Sequence, residues 1–199
     1  MIKFIFDLDG TITAEETLPI ISKNFNLVDE MENLTRETVQ GNIPFIESFI
    51  RRVYILGKLP VDEISELLRK AELYSEILNF IKTYKENCVI ATSNLECWCI
   101  KLLEDIGCAY YCSDATVEEN QVKKLTRILK KESVVERYKS AGDIVVYIGD
   151  GNNDMEAMRL ADISIATGLT HYPAKSLLSV ADYLVFSEEA LCRQLSQLL

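Results

Sequence analysis

Two groups of carboxylates, far apart in a chain of 199 residues, carry the strongest chemical signal. Asp7 and Asp9 flank a single leucine in Asp7-Leu8-Asp9-Gly10-Thr11. Asp150, Asn153 and Asp154 stand in Gly149-Asp150-Gly151-Asn152-Asn153-Asp154. Carboxylates this close repel unless a cation lies between them or one keeps its proton. A hard divalent cation held by oxygen ligands is the simplest remedy, and Mg2+ fits that description. Either segment alone is also an ordinary polar turn, rich in Asp, Asn and Gly. The second could simply cap a helix that begins near Asn152. Both, however, follow an apolar run abruptly. Two parallel central strands would deliver both clusters to one edge of a sheet.

The elements needed for that convergence are legible. Residues 2–6, 88–91, 144–148, 162–166 and 182–186 are short apolar runs and read as buried strands. Helical patterns occupy 76–86, 95–106, 131–140, 152–161 and 188–198. Their alternation predicts an α/β fold, a mostly parallel sheet with helices on both faces. Such sheets bind ligands beyond the carboxyl ends of their strands. Residues 109–129 have a polar centre and read as a hairpin on the rim. The stretch 14–75 holds no strand pattern. Apolar residues recur there at helical spacing in 17–25, 28–39, 44–56 and 61–71, with breaks at Gly41-Asn42, Gly57 and Pro60. The expected organisation is a core of residues 1–13 and 76–199, with a small helical bundle of residues 14–75 inserted as a lid.

Composition removes several alternatives. The chain carries 21 Lys and Arg against 31 Asp and Glu, a net charge of −10. A nucleic-acid or anionic-membrane partner needs a basic face and is not expected. A small anionic substrate is compatible, because a metal ion and a few local cations reverse the field inside a cleft. No apolar run approaches a membrane span, and the N-terminus lacks a signal-peptide pattern, so a cytoplasmic protein is expected. The 6 cysteines then read as reduced thiols. Cys97/Cys99 and Cys108/Cys112 do not have the paired spacing of a zinc site, and buried apolar thiols is the better reading. With 1 histidine, His171, no two-histidine metal motif is possible. The chain contains no GxSxG, no cysteine followed six positions later by arginine, no phosphate loop ending in GK[ST] and no GxGxxG. His171 and Trp98 acquire no role from the sequence.

The ordered set of Asp7-Leu8-Asp9-Gly10-Thr11, then Ser93-Asn94 or Thr92-Ser93 after a strand, then a lysine, then Gly149 to Asp154 resembles the haloacid dehalogenase superfamily of phosphatases across essentially the whole chain. The resemblance implies that family's Rossmann-like sheet with an inserted helical cap, and a Mg2+-dependent phosphomonoesterase. It implies Asp7 as nucleophile, forming an aspartyl-phosphate. It implies Asp9 as general acid and base. Mg2+ would be held by the Asp7 and Asp150 carboxylates and the Asp9 carbonyl, with Asp154 supporting the metal's surroundings. Ser93 would hydrogen-bond the phosphate, with Asn94 and Asn153 as neighbouring substrate contacts. The lysine is Lys131, or alternatively Lys130.

The inserted helices resemble the phosphoserine phosphatase branch. Glu16-Thr17 follows the first motif, and Thr35-Arg36-Glu37, Gly41, Phe45, Ser48 and Arg51-Arg52-Val53 continue the match. By that resemblance Glu16 contacts a substrate ammonium, Arg52 grips a carboxylate and Phe45 closes over the site. An acid plus an arginine suits a zwitterionic amino-acid ester, since Arg forks onto carboxylates. Read without the family, Glu16 is a helix-start acid, Arg52 a solvated residue and Phe45 a core residue of the bundle. One departure matters. The branch carries Ser-Gly-Gly-Phe where this chain has Ser93-Asn94-Leu95-Glu96, so side chains stand where glycines leave room. The expected substrate is a small phosphorylated metabolite, O-phosphoserine or a related phosphomonoester such as another phosphorylated amino acid or an amino alcohol phosphate. Transfer of the phosphoryl group to an alcohol is the alternative on the same scaffold.

Overall fold

The computed structural model describes residues 1–39 and 42–199; the side chains of Thr38, Val39 and Phe45 and all of Gln40 and Gly41 lie outside the description. Among the described residues, seven strands form one sheet in the order β4-β3-β2-β1-β5-β6-β7. These are β1 Ile2–Phe6, β2 Cys88–Leu95, β3 Ala109–Glu118, β4 Gln121–Arg127, β5 Ile144–Gly149, β6 Ile163–Thr167 and β7 Tyr183–Val185. All neighbours pair in parallel except β3 and β4, an antiparallel hairpin at the edge. The hairpin read at 109–129 is therefore present. Its turn is Glu119-Asn120, both with positive φ, which tightens the reversal.

The alternation within β1 shows why this sequence makes a two-sided sheet. Phe4 and Phe6 point into one core layer and Ile5 into the other, all fully buried. On the Ile5 side the sheet meets α7 (Lys131–Ser140) and α8 (Met155–Leu160), through Val134, Val135, Ala157 and Met158. On the Phe4 side it meets α5 (Ser75–Thr83), α6 (Glu96–Ile106) and α9 (Glu188–Ser196), through Ile77, Phe80, Trp98, Leu102 and Leu191. The helical pattern at 152–161 opens as a tight 3-10 turn over Asn152–Asp154 before α8 begins. Strand β2 runs to Leu95, past the apolar run, and its register against β3 shifts between Ala91 and Leu95.

Between β1 and α5 the described residues form four helices: α1 Thr17–Asn24, α2 Val28–Val39, α3 Phe45–Leu56 and α4 Val61–Arg69. The chain enters and leaves this segment side by side, through a Thr13–Leu73 bridge and hydrogen bonds from Ala14 N to Glu72 O (2.9 Å) and Tyr74 N to Ile12 O (3.0 Å). Helix α4 buries Ile64 and Leu68 in the same cluster as α6. Arg69 reaches Asp105 (2.7 Å), and Lys101 reaches Glu66. The β3–β4 turn holds the other end: Val61 N donates to Asn120 O (2.8 Å) and Val122 N to Gly57 O (2.9 Å). No helix among the described residues is long and apolar enough to cross a membrane. All 6 cysteines are free; Cys88, Cys99, Cys108 and Cys112 are buried, and burial pushes the Cys97 and Cys108 thiols up to about 11.

Candidate active site

Register brings the two acidic clusters together. Phe6 pairs with Ile148 on one side and with Ile90 on the other. Asp7, Thr92 and Asp150 therefore emerge at the same carboxyl edge of adjacent strands, where the chain order reverses around β1. Carboxylate oxygens of Asp7, Asp150 and Asp154 all lie within 4.8 Å of one another. They line or underlie a cleft of about 450 Å³ whose walls include Asp9, Ser93, Asn94 and Asn153 from the sheet side and Glu16, Ser48 and Arg52 from the inserted helices.

Buried hydrogen bonds fix each carboxylate. Lys131, the first residue of α7, is buried and donates to Asp7 Oδ1 and Asp154 Oδ1, both at 2.7 Å. Lys130, by contrast, is exposed. Asp7 Oδ1 also accepts from Leu8 N at 2.7 Å, which leaves the other carboxylate oxygen for the cleft. Asp154 is fully buried and accepts from Lys131, from Tyr147 Oη (2.7 Å), and from the backbone N–H groups of Asp150 (3.1 Å) and Gly151 (3.0 Å). It is thus a saturated prop beneath Asp150. Gly149 is required there, because a Cβ would lie 2.5 Å from Asp154 Cγ. Asp150 accepts from Thr11 Oγ1 at 3.1 Å.

The electrostatics follow from burial. Asp7 is pushed well above the usual carboxylate range, chiefly by burial and then by Asp154, with Lys131 opposing. Asp150 is raised for the same first reason, with His171 opposing. Burial would lower the Lys131 ammonium, but Asp154 and Asp7 outweigh it and raise it. Asp9 is raised from 3.8 to about 6, by burial first and then by Glu16. Its carboxylate turns toward the inserted helices, accepting from Thr17 N at 2.9 Å and from the Thr17 hydroxyl. Thr92 supplies a third donor at 3.3 Å.

Thr92 and Ser93 point in different directions. Thr92 is buried beneath Asp9, whereas Ser93 faces the cleft and receives Asn153 Nδ2 at 3.4 Å. Asn94 is buried; its amide donates to Thr17 Oγ1 at 2.6 Å and accepts from Leu95 N at 2.9 Å. Arg52 donates to Thr35 Oγ1 at 2.9 Å, while its Nε and the buried Ser48 hydroxyl have no hydrogen-bond partner. Burial lowers the Arg52 guanidinium from its usual value. The expected role of Phe45 rests on a side chain outside the described residues.

Two neighbours were missed by sequence reasoning. Tyr147 reads as one more apolar residue of a buried strand, with nothing to mark its hydroxyl. His171 lies in the loop after β6, with Nε2 3.0 Å from Asp150 Oδ2 and 3.2 Å from Glu16 Oε1. These carboxylates, Asp150 first, push its imidazole up to about 11. The available signal was position: a polar stretch at the carboxyl end of another parallel strand.

The family model of the haloacid dehalogenase-like hydrolases matches residues 4–162. A phosphoserine phosphatase of Methanocaldococcus jannaschii is 24% identical over 179 residues, covering 81% of this chain and 83% of that protein. A phosphoserine phosphatase of Archaeoglobus fulgidus is 26% identical over 175 residues, and the match spans 51% of that longer protein. A solved substrate-bound phosphoserine phosphatase complex superimposes with a TM-score of 0.80 at 20% identity, covering 100% of this chain and 99% of that one; at that identity it speaks for the fold. The chain belongs to the haloacid dehalogenase-like hydrolases and, within them, is phosphoserine phosphatase-like.

Proposed function

We propose that the protein is a phosphomonoester hydrolase working through a phosphorylated Asp7, with O-phosphoserine or a close relative as substrate. The observation that carries this is a buried Asp7 carboxylate gripped at Oδ1 by Lys131, with Asp9 held separately by Thr17 at the mouth of the same cleft. A solvated turn would place neither group so.

The chain's own residues account for each step. Asp7 attacks phosphorus as the bond to the ester oxygen breaks, and Asp9 protonates the leaving oxygen. Water then attacks the same phosphorus, Asp9 takes its proton, and Asp7 is released. A proton affinity near 6 lets Asp9 serve in both directions at neutral pH. Lys131 balances the carboxylates, and Ser93 with Asn153 offers donors to the phosphate. The donor set suits a hard divalent cation: Asp7 and Asp150 are oxygen ligands, buried, raised in proton affinity and close together. Mg2+ held by Asp7, Asp150 and the Asp9 carbonyl, with Asp154 behind, would neutralise charge between nucleophile and phosphate. The helices of residues 14–75 serve as the lid. Glu16 and Arg52 there face the alcohol portion of the substrate, and the unpartnered Arg52 Nε and Ser48 hydroxyl are free to take a substrate carboxylate.

The test is phosphate release. Protein with Mg2+ and phosphoserine should liberate inorganic phosphate, EDTA should stop it, and Asp7→Asn should abolish it with the fold retained. Activity surviving in Asp7→Asn refutes the nucleophile. Arg52→Ala should lower kcat/KM for phosphoserine far more than for p-nitrophenyl phosphate; equal losses would remove Arg52 from carboxylate recognition.

A further inference from the structure

Two hydroxyls hold the Asp9 carboxyl, and one residue stands behind both. Asn94 is buried near the carboxyl end of β2. The orientation of its amide is fixed by its neighbours. Leu95 N can only donate, so Asn94 Oδ1 faces it at 2.9 Å and Nδ2 faces Thr17 Oγ1 at 2.6 Å. Thr17 Oγ1 accepts from that amide, and its own proton is thereby directed to Asp9 Oδ1. The same oxygen accepts from Thr17 N at 2.9 Å. On the other side, Asn94 N donates to Thr92 Oγ1 at 3.1 Å, and Thr92 Oγ1 donates to Asp9 Oδ2 at 3.3 Å. Oδ1 is therefore held twice by Thr17, and Oδ2, with one long contact, is the oxygen left to meet a substrate.

We infer that Asn94 is a positioning residue: its side chain turns the Thr17 hydroxyl onto Asp9 and so aims the Asp9 carboxyl at the leaving oxygen of the ester. The inference rests on the proposed proton-transfer role of Asp9. The branch that the chain resembles has glycine at this position, which offers the backbone contact to Thr92 but no side-chain contact to Thr17. Substituting Asn94 thus removes one arm and leaves the other. Without Nδ2 nothing fixes the rotation of the Thr17 hydroxyl, and Asp9 is held less closely. Proton transfer suffers most from such a loss, because it works only within hydrogen-bond reach.

Leaving groups report the effect. Phenyl phosphate and p-nitrophenyl phosphate are similar in shape, but phenol is the more basic leaving group and depends more on a proton donor. Their kcat/KM values, which cover the steps through loss of the leaving group, should be measured with Mg2+. The proteins are the unmodified chain, Asn94→Ala, Asn94→Gly, Thr17→Val and Asn94→Ala with Thr17→Val. Asn94→Ala should lower the phenyl phosphate value about tenfold more than the p-nitrophenyl value, a part of the roughly 10²–10⁴-fold that a positioned proton donor supplies. Any loss of folded protein cancels in that ratio, and Asn94→Gly should match it. Thr17→Val should move the ratio the same way, and the double variant no further than Thr17→Val alone. Equal losses on both esters, or shifts that multiply in the double variant, overturn the inference. Failure of the unmodified protein to release phosphate from either ester would instead overturn the phosphatase reading. Crystal structures of the unmodified and Asn94→Ala proteins then decide the positioning without turnover. Asp9 rotated away from Thr17 in the variant supports it, and an unmoved Asp9 overturns it.

Discussion

Lys131 shows how much depends on one side chain at the floor of the cleft. It is the cation joined to both Asp7 and Asp154, and all three are buried. Removing one member of a buried ion network leaves uncompensated charge, at a cost of about 3–5 kcal/mol. Lys131→Met should lower metal-free stability at pH 7 by that amount in urea unfolding, whereas Lys130→Met should change little. Asp9 acts in the opposite sense. The folded protein holds its proton more tightly than the unfolded chain, with a value of about 6 against 3.8. The associated stability is full below 3.8 and is lost as pH rises through about 6. Asp9→Asn should therefore make the metal-free protein more stable at pH 7, by at most about 3 kcal/mol. That advantage should close as pH falls from 6 toward 4. A constant gap across this range would show that Asp9 is not the group being strained.

At the scale of elements, the β3–β4 hairpin links the rim of the sheet to the inserted helices. Helix α4 begins at Pro60 without a side-chain cap of its own. Asn120 replaces that cap from outside: its Oδ1 accepts from Asp62 N at 3.1 Å, its carbonyl accepts from Val61 N, and its amide reaches the Asp62 carboxylate. Asn also tolerates the φ of 62° found there. Asn120→Ala loses the cap and meets backbone strain, and should cost about 1–2 kcal/mol in thermal or urea unfolding. Asn120→Gly, which relieves the positive φ but not the lost side-chain acceptor, should recover part of this. A neutral Ala substitution would mean that the hairpin merely lies near α4. Helix α4 is thus held both by this turn and by α6.

At the scale of the whole molecule, the chain carries a net charge of −10, and Asp7, Asp9 and Asp150 add like charges to one another where β1 and β5 end. Repulsion among Asp7, Asp9 and Asp150 opposes folding, and a divalent cation among them relieves it. Mg2+ should raise the unfolding midpoint, with a stabilisation of about 2.7 kcal/mol at one hundred times its Kd. NaCl at matched ionic strength should not reproduce this, EDTA should reverse it, and Asp150→Asn should lose most of it. An equal response to both salts would reduce the effect to screening of surface charge.

Much of this organisation is written locally. Alternating apolar strands and amphipathic helices specify the sheet, and the position of each polar cluster after a strand specifies which edge carries chemistry. Even the choice of Lys131 was available, since it shares a helix face with the buried Val134 and Val135 at three- and four-residue spacing. The choice of Ser93 over Thr92 was not. Neighbours on a strand face opposite sides, and only pairing with distant strands decides which side is the cleft. The attachment of Asp9 to Thr17, Tyr147 beneath Asp154 and His171 on Glu16 likewise needed tertiary structure. These contacts join segments whose proximity depends on strand order and loop path, which no periodicity in the chain encodes.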